Sequence, residues 1–389
     1  MHALTRNKLL LATFIMTILY AFHYGLPLYT SSSFLRQYFS SEMVSGIYAL
    51  GSFITLLLSI HLTKYVRRYH TYTFTFALVI VDIISTFIFV FSQNLYLLSF
   101  FFIVHFCVSA LIYILLSMFI ENLSPHAETG MIRGMFLTLL NLGILISPFI
   151  SASLLSHSGY TAIYVVASII LIPFLFFLKR YFQHMPDPAY HTIDMFNAGI
   201  AAFKNVNLKG ALISALLLEC FYAVMVIYSP LYLTSMGIPL TVYLSAILPV
   251  ALIPFVIMPY ELGIIADNKL GEKELMILGL VLMALTTLSI VVVSTTNIII
   301  WAVILILSRI GAACVETMTF TYYFKKINAQ DASLVALFGN MRSFAIIIVG
   351  AFGAILAPLL INYPAIIFIV LGLALLFGVT YVIPIKDTR

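Results

Sequence analysis

Apolar positions dominate this chain so completely that the polar ones act as punctuation. Runs of about 20 apolar residues recur along its whole length, which is what a helix needs to cross roughly 30 Å of hydrocarbon. With Gly, Pro and charge clusters as boundaries, the pattern predicts twelve helices, over 9–30, 43–63, 72–91, 95–120, 131–155, 160–181, 210–234, 241–262, 274–294, 297–323, 334–360 and 364–384. The segment from Gln183 to Asn207 breaks the series. It opens with Pro186-Asp187-Pro188, and Thr192 then precedes Ile193, Phe196, Ile200 and Phe203 at helical spacing. That pattern reads either as a short amphipathic helix on the cytoplasmic membrane surface or as an ordinary loop helix. The expected organisation is a six-helix bundle over 1–182, a linker over 183–208 and a second six-helix bundle over 209–389.

Composition turns this pattern into a fold class, an all-α polytopic membrane protein. Of 389 residues 63% are hydrophobic and 8% charged, against roughly a quarter charged in soluble proteins. The first run, about 20 residues with no small-residue cleavage site, does not read as a removable signal. Cys107, Cys220 and Cys314 all fall inside apolar runs and read as small core residues, not disulfides or a metal site.

The net charge of +5 matters less than its placement. Of the nineteen Lys and Arg residues, Arg309 and Arg342 lie within spans and Arg36 lies on one side alone; the other sixteen fall on the opposite side. Cytoplasmic loops collect Lys and Arg, so both termini are expected in the cytoplasm.

The two halves repeat. Pro27-Leu28-Tyr29 near the end of the first span recurs as Pro230-Leu231-Tyr232 near the end of the seventh, an offset of 203. His105 in span four aligns with Arg309 in span ten at offset 204, and at that offset SIHLTKYVRR (59–68) aligns with GIIADNKLGE (263–272). Related halves of six spans are a mark of transporters. Gly263-Ile264-Ile265-Ala266-Asp267, followed by Gly271 and Lys273, resembles the loop motif G-x-x-x-D-R-x-G-R-K of the major facilitator superfamily, with its end displaced by one place. The first copy has Ser59 for the Gly and Thr63 for the Asp, but keeps Lys64, Arg67 and Arg68. The resemblance covers nearly all of the chain. It implies two pseudo-symmetric six-helix bundles, a solute pathway lined by spans one, four, seven and ten, and a cytoplasmic latch involving Gly263, Asp267, Gly271, Arg67 and Arg68. Span five (134–148) resembles the Gly-rich helix of the family's antiporters, but ends in Ser147-Pro148 where that helix ends in Gly-Pro. Close packing in lipid accounts for Gly134 and Gly143 equally well.

Seven ionisable residues fall well inside the spans: His23, Asp82, His105, Glu219, Arg309, Glu316 and Arg342. An Asp or Arg at a helix centre costs ~2.5 kcal/mol or more, so each calls for a partner or a polar pathway. Arg309 and Glu316 share a helix face about 10 Å apart, too far to pair well, which makes Glu219 and Arg342 the expected partners. The resemblance places His23, His105, Glu219, Arg309 and Glu316 on pathway-lining spans. It puts Asp82 on a usually peripheral one, so Asp82 ranks last. A carboxyl whose distance from an Arg changes as helices rock can take up a proton on one side and release it on the other. Glu219, Arg309, Glu316, Arg342, His23 and His105 are therefore the candidates for substrate contact or proton coupling; a static ion-pair network is the competing reading. Pro249, Pro254 and Pro259 should bend span eight, and Tyr20, Tyr24, Tyr222 and Tyr228 could wall an amphipathic cavity.

No His-Glu-x-x-His, Gly-x-Ser-x-Gly or GxxxxGK[ST] occurs, so neither an enzyme nor an ATP-driven pump is expected. The expected protein is a monomeric secondary transporter in a bacterial cytoplasmic (inner) membrane. Its partners are the lipid bilayer, a small-molecule substrate and protons, with no cofactor, metal or nucleic acid. Mixed charges with aromatics are compatible with an amphipathic or zwitterionic solute; the expected direction is export, against uptake of a small metabolite or a non-transporting sensor.

Overall fold

Hydrocarbon offers a backbone no hydrogen-bond partners, so a spanning segment must satisfy its own N–H and C=O groups. The chain does this with helices. The computed structural model describes residues 3–123, 129–185, 187, 195–266, 270–327, 332–363 and 365–386, and no strand occurs among them. Helices α1 (Ala3–Leu28), α2 (Ser31–Leu35), α3 (Ser41–Tyr69), α4 (Thr71–Phe91), α5 (Leu95–Leu123) and α6 (Thr129–Phe182) precede α7 (Met195–Lys204). Then follow α8 (Val206–Ile227), α9 (Ser229–Ser235), α10 (Leu240–Val242), α11 (Leu248–Leu252), α12 (Pro254–Ile265), α13 (Glu272–Val292), α14 (Ile298–Lys326), α15 (Ala332–Gly339), α16 (Met341–Asn362) and α17 (Ile366–Val382).

Ten helices among the described residues are long and apolar enough to cross a membrane. One of them, α6, is two helices meeting at Gly159, whose φ of 75° and ψ of −172° break the helical path, and α17 is a shorter apolar helix of 17 residues. Each of the twelve expected segments thus has a helical counterpart. The eighth segment is divided where its prolines fall: Pro249 and Pro254 stand at the starts of α11 and α12, Pro259 lies inside α12, and a π-helical turn, Tyr243–Ile247, precedes them.

The chain forms two compact units. The first comprises Met1–Phe34 with Leu50–Thr192, and the second Leu35–Ala49 with Ile193–Arg389. In the first, α1 is pinned on both sides of His23: Tyr20 Oη donates to Ser109 O on α5 (2.9 Å), and Ser151 Oγ on α6 donates to Leu26 O (2.7 Å). Gly143 on α6 lies directly against Ala21, so packing is the use the fold makes of that glycine. His70 takes a left-handed backbone (φ 64°) between α3 and α4, a conformation uncommon outside glycine. Asp187 holds this corner: its Oδ2 accepts from Thr71 N (3.0 Å) and lies 3.3 Å from His70 Nδ1. A carboxylate at a helix N-terminus stabilises through its bonds and the helix dipole, so Asp187→Ala should cost about 1 kcal/mol, read as a lowered Tm of the detergent-purified protein.

In the second unit, α8 begins at Asn205 and α14 at Asn297, whose side chains accept from the first free backbone N–H groups. Lys325 and Lys326 close the last turn of α14, where cations offset the helix dipole. Lys325 Nζ also binds the buried Glu272 at the start of α13. On α7, Met195 and Ala202 are buried while Phe196, Ile200 and Phe203 stand exposed on one face; Thr192 and Ile193 lie outside the described residues.

Candidate functional site

The ionisable residues of the spans gather into two centres, one in each unit. In the second unit the centre is built on α8, α14 and α16. Glu316 lies ten residues from the end of α14, about 15 Å along its axis at 1.5 Å per residue, deep in the apolar span. It is exposed nonetheless, and its Oε2 accepts a 2.9 Å hydrogen bond from Tyr222 Oη on α8. Tyr222 is half-buried and packs edge-on against Phe255 of α12, ring centroids 5.7 Å apart. Glu219, one turn before Tyr222, is half-buried; Arg342 on α16 lies close enough to both Glu219 and Glu316 for electrostatic interaction.

Arg309 differs from its neighbours. It is 1% exposed, its guanidinium carbon stands 5.0 Å from the centre of the Phe221 ring, and its Nη1 has no hydrogen-bond partner among the described residues. A ring face recovers part of the cost of burying the cation, but leaves a donor unused. No ion pair joins Arg309 to Glu316 among the described residues, in keeping with their seven-residue separation. The position of α14 itself is set by Gly311, two residues after Arg309. A Cβ there would stand 2.7 Å from Gly279 O and 2.9 Å from Met283 N of α13, and a Cβ on Gly279 would stand 2.7 Å from Gly311 O. The two backbones touch where neither can carry a side chain, a common device for close helix approach in lipid.

In the first unit the structure joins His23 of α1, Asp82 of α4 and His105 of α5. His105 Nδ1 lies 2.6 Å from Asp82 Oδ1 and 3.1 Å from Thr86 Oγ1, and His23 Nε2 lies 2.9 Å from Asp82 Oδ2. His23 and Asp82 are 0% exposed and His105 7%. His23 Nδ1 lies 3.0 Å from Ala167 O on α6; a carbonyl only accepts, so this nitrogen carries the ring's proton. Phe89 and Tyr164 complete an aromatic wall around His105, ring centroids 5.6 and 6.3 Å away.

Asp82, expected to count least of the seven, lies between the two histidines. It is the residue the two histidines share, because α4 turns its buried face, Thr75, Val79, Asp82 and Thr86, inward. The signal was present in the sequence. Asp82 is nine residues before the end of α4 and His105 ten residues into α5, so the α4–α5 hairpin sets them at equal depth.

The loop-motif residues are less gathered. Arg67 and Arg68 are exposed in the last turn of α3, with Arg68 5.3 Å from the Tyr69 ring centre. Gly271 has φ 88° and starts α13, a conformation that glycine adopts without strain. Gly263 lies in α12 with room for a side chain, and Asp267 lies outside the described residues. An ion pair between buried Glu272 and exposed Lys325, absent from the sequence reading, joins that end of α13 to α14.

Residues 9–350 match the family model described as Major Facilitator Superfamily. No curated protein matches the chain.

Proposed function

The chain belongs to the Major Facilitator Superfamily, and from that premise we propose that it is a proton-coupled transporter whose substrate and proton sites lie on the α8–α14–α16 centre. Family membership makes it a secondary transporter embedded in a lipid bilayer and carrying a small solute. The finer reading rests chiefly on Glu316, a mid-span carboxylate that is exposed on its unit. Presented to hydrocarbon, such a group would cost several kcal/mol; facing a hydrated pathway, it is a proton acceptor in contact with the solute. Tyr222 holds the ionised form by hydrogen bond, Arg342 supplies the opposing charge, and Glu219 is the second carboxyl sharing that cation. The spare Nη1 donor of Arg309 is suited to an anionic group arriving when α14 shifts. Two carboxyls, two guanidinium groups and aromatic walls fit an amphipathic solute bearing charge. Both termini then face the cytoplasm, where the Lys and Arg residues of the loops collect.

Ligand-induced thermal shift tests the assignment. A library of metabolites and amphipathic compounds is screened on detergent-purified protein at two pH values. A ligand at 100 times its Kd should stabilise the folded state by ~2.7 kcal/mol; its shift should disappear in Arg309→Ala, and in Glu316→Gln it should remain but lose its dependence on pH. A shift retained in Arg309→Ala and still pH-dependent in Glu316→Gln would make these charges structural.

A further inference from the structure

The His23–Asp82–His105 centre has chemistry that the transport reading does not use. We propose that it is a binding site for one divalent transition-metal ion, held by two imidazole nitrogens and a carboxylate. Three helices, α1, α4 and α5, each contribute one potential ligand, and the ligand atoms all lie within 4.8 Å of one another. Bonds of about 2.0–2.2 Å to one ion are within reach of these side chains after small rotations.

The second observation is a pair of unsatisfied atoms. Because Ala167 O fixes the proton of neutral His23 on Nδ1, Nε2 carries a lone pair, and it faces Asp82 Oδ2 at 2.9 Å. Both atoms are fully buried and neither has a hydrogen-bond partner among the described residues. Two electron-pair donors at that distance repel unless a cation lies against them. With both imidazoles neutral, the centre also carries one uncompensated negative charge in a dry interior, which is costly. A single proton would bridge His23 and Asp82, with His105 Nδ1–H donating to Asp82 Oδ1 at 2.6 Å. A divalent ion is the occupant that would use the lone pairs of both imidazoles and the carboxylate at once and offset the negative charge.

The surroundings fit this assignment. A ring N–H donated to a backbone carbonyl is the usual way a ligating histidine is oriented, and His23 Nδ1 to Ala167 O is that bond. Thr86 Oγ1, 3.1 Å from His105 Nδ1, or water at the partly open edge of His105 can supply a fourth ligand. Nitrogen-rich donors favour ions such as Zn2+ and Co2+ over Mg2+ and Ca2+. Such an ion would tie α1 to the α4–α5 hairpin, and the burial of its ligands marks it as resident, not as passing cargo.

The test is metal binding by the full-length protein, purified without chelators and freed of any histidine tag. Elemental analysis after Zn2+ loading should give one equivalent per chain, and X-ray absorption should show two imidazoles at the metal. Asp82→Asn, His23→Ala and His105→Ala should each weaken binding at least 10-fold, while His61→Ala, an exposed histidine on α3, should leave it unchanged. Mg2+ should not compete. Folded wild-type protein with no saturable Zn2+ site would overturn the proposal whatever the variants do. So would undiminished binding in the three variants, binding lost in His61→Ala, or a melting temperature that responds to pH but not to Zn2+, which would leave a proton as the sole occupant.

Discussion

Glu316→Gln should abolish accumulation driven by a pH gradient in reconstituted vesicles, while leaving exchange of labelled for unlabelled solute in place. The substitution keeps the shape of the side chain and the oxygen that accepts from Tyr222 Oη, 2.9 Å away in the wild type, but removes the group that can take up a proton. Exchange requires the solute to bind and the protein to change conformation; accumulation requires in addition that a proton be bound and released each cycle. Glu219→Gln should act more weakly, because Glu219 is half-buried and Glu316 exposed. Parallel assays of accumulation and exchange, each at two pH values, separate these effects. If Glu316 were a packing residue, the substitution would lower both together.

Gly311→Val should be the most damaging packing change in α14. A Cβ at residue 311 would meet Gly279 O at 2.7 Å and Met283 N at 2.9 Å. Both are backbone atoms, so no rotamer change relieves the clash and α13 must move away. Overpacking a filled core costs about 1–3 kcal/mol and occasionally more; with backbone on the opposing side, ~3 kcal/mol or more is expected. Gly279→Val meets the same contact from the other helix, so the two substitutions together should cost less than the sum of the singles. Arg309 and Glu316 flank Gly311 on α14, which makes the glycine contact part of what places the centre. A smaller change, Gly311→Ala, should retain folding more often and reduce transport through displacement of Arg309. Thermal unfolding and the yield of monodisperse protein measure the first effect, and transport per folded protein the second.

The spans were readable because lipid imposes one strong rule, and the hydropathy of this chain obeys it from α1 to α17. Boundaries were less readable. The second span was placed at 43–63, whereas α3 continues to Tyr69, since a helix can extend past the apolar run into the headgroups on Lys64, Arg67 and Arg68. The seventh breaks at Tyr228 because Pro230 cannot continue the preceding hydrogen bonds. At the sites, residue type was informative and partnership was not. Arg309 and Glu316 stood out in an apolar run, but the partners they find, Phe221 and Tyr222, are adjacent residues on another helix. The order of α8 against α14 cannot be read from either helix alone. Asp82 was discounted for the span it occupies, although its depth relative to His105 was set by the short turn that joins their helices.

The central claim is that protons move with solute through the Glu316 centre, and it is tested most directly by recording internal pH. Vesicles holding the protein and a trapped pH indicator are given a ligand identified by thermal shift, with no gradient imposed. The wild type should move protons as the solute moves, the sign of the change distinguishing symport from antiport, and Glu316→Gln should move the solute without protons. Proton movement that persists undiminished in Glu316→Gln and in Glu219→Gln would contradict the account and return both carboxylates to structural roles.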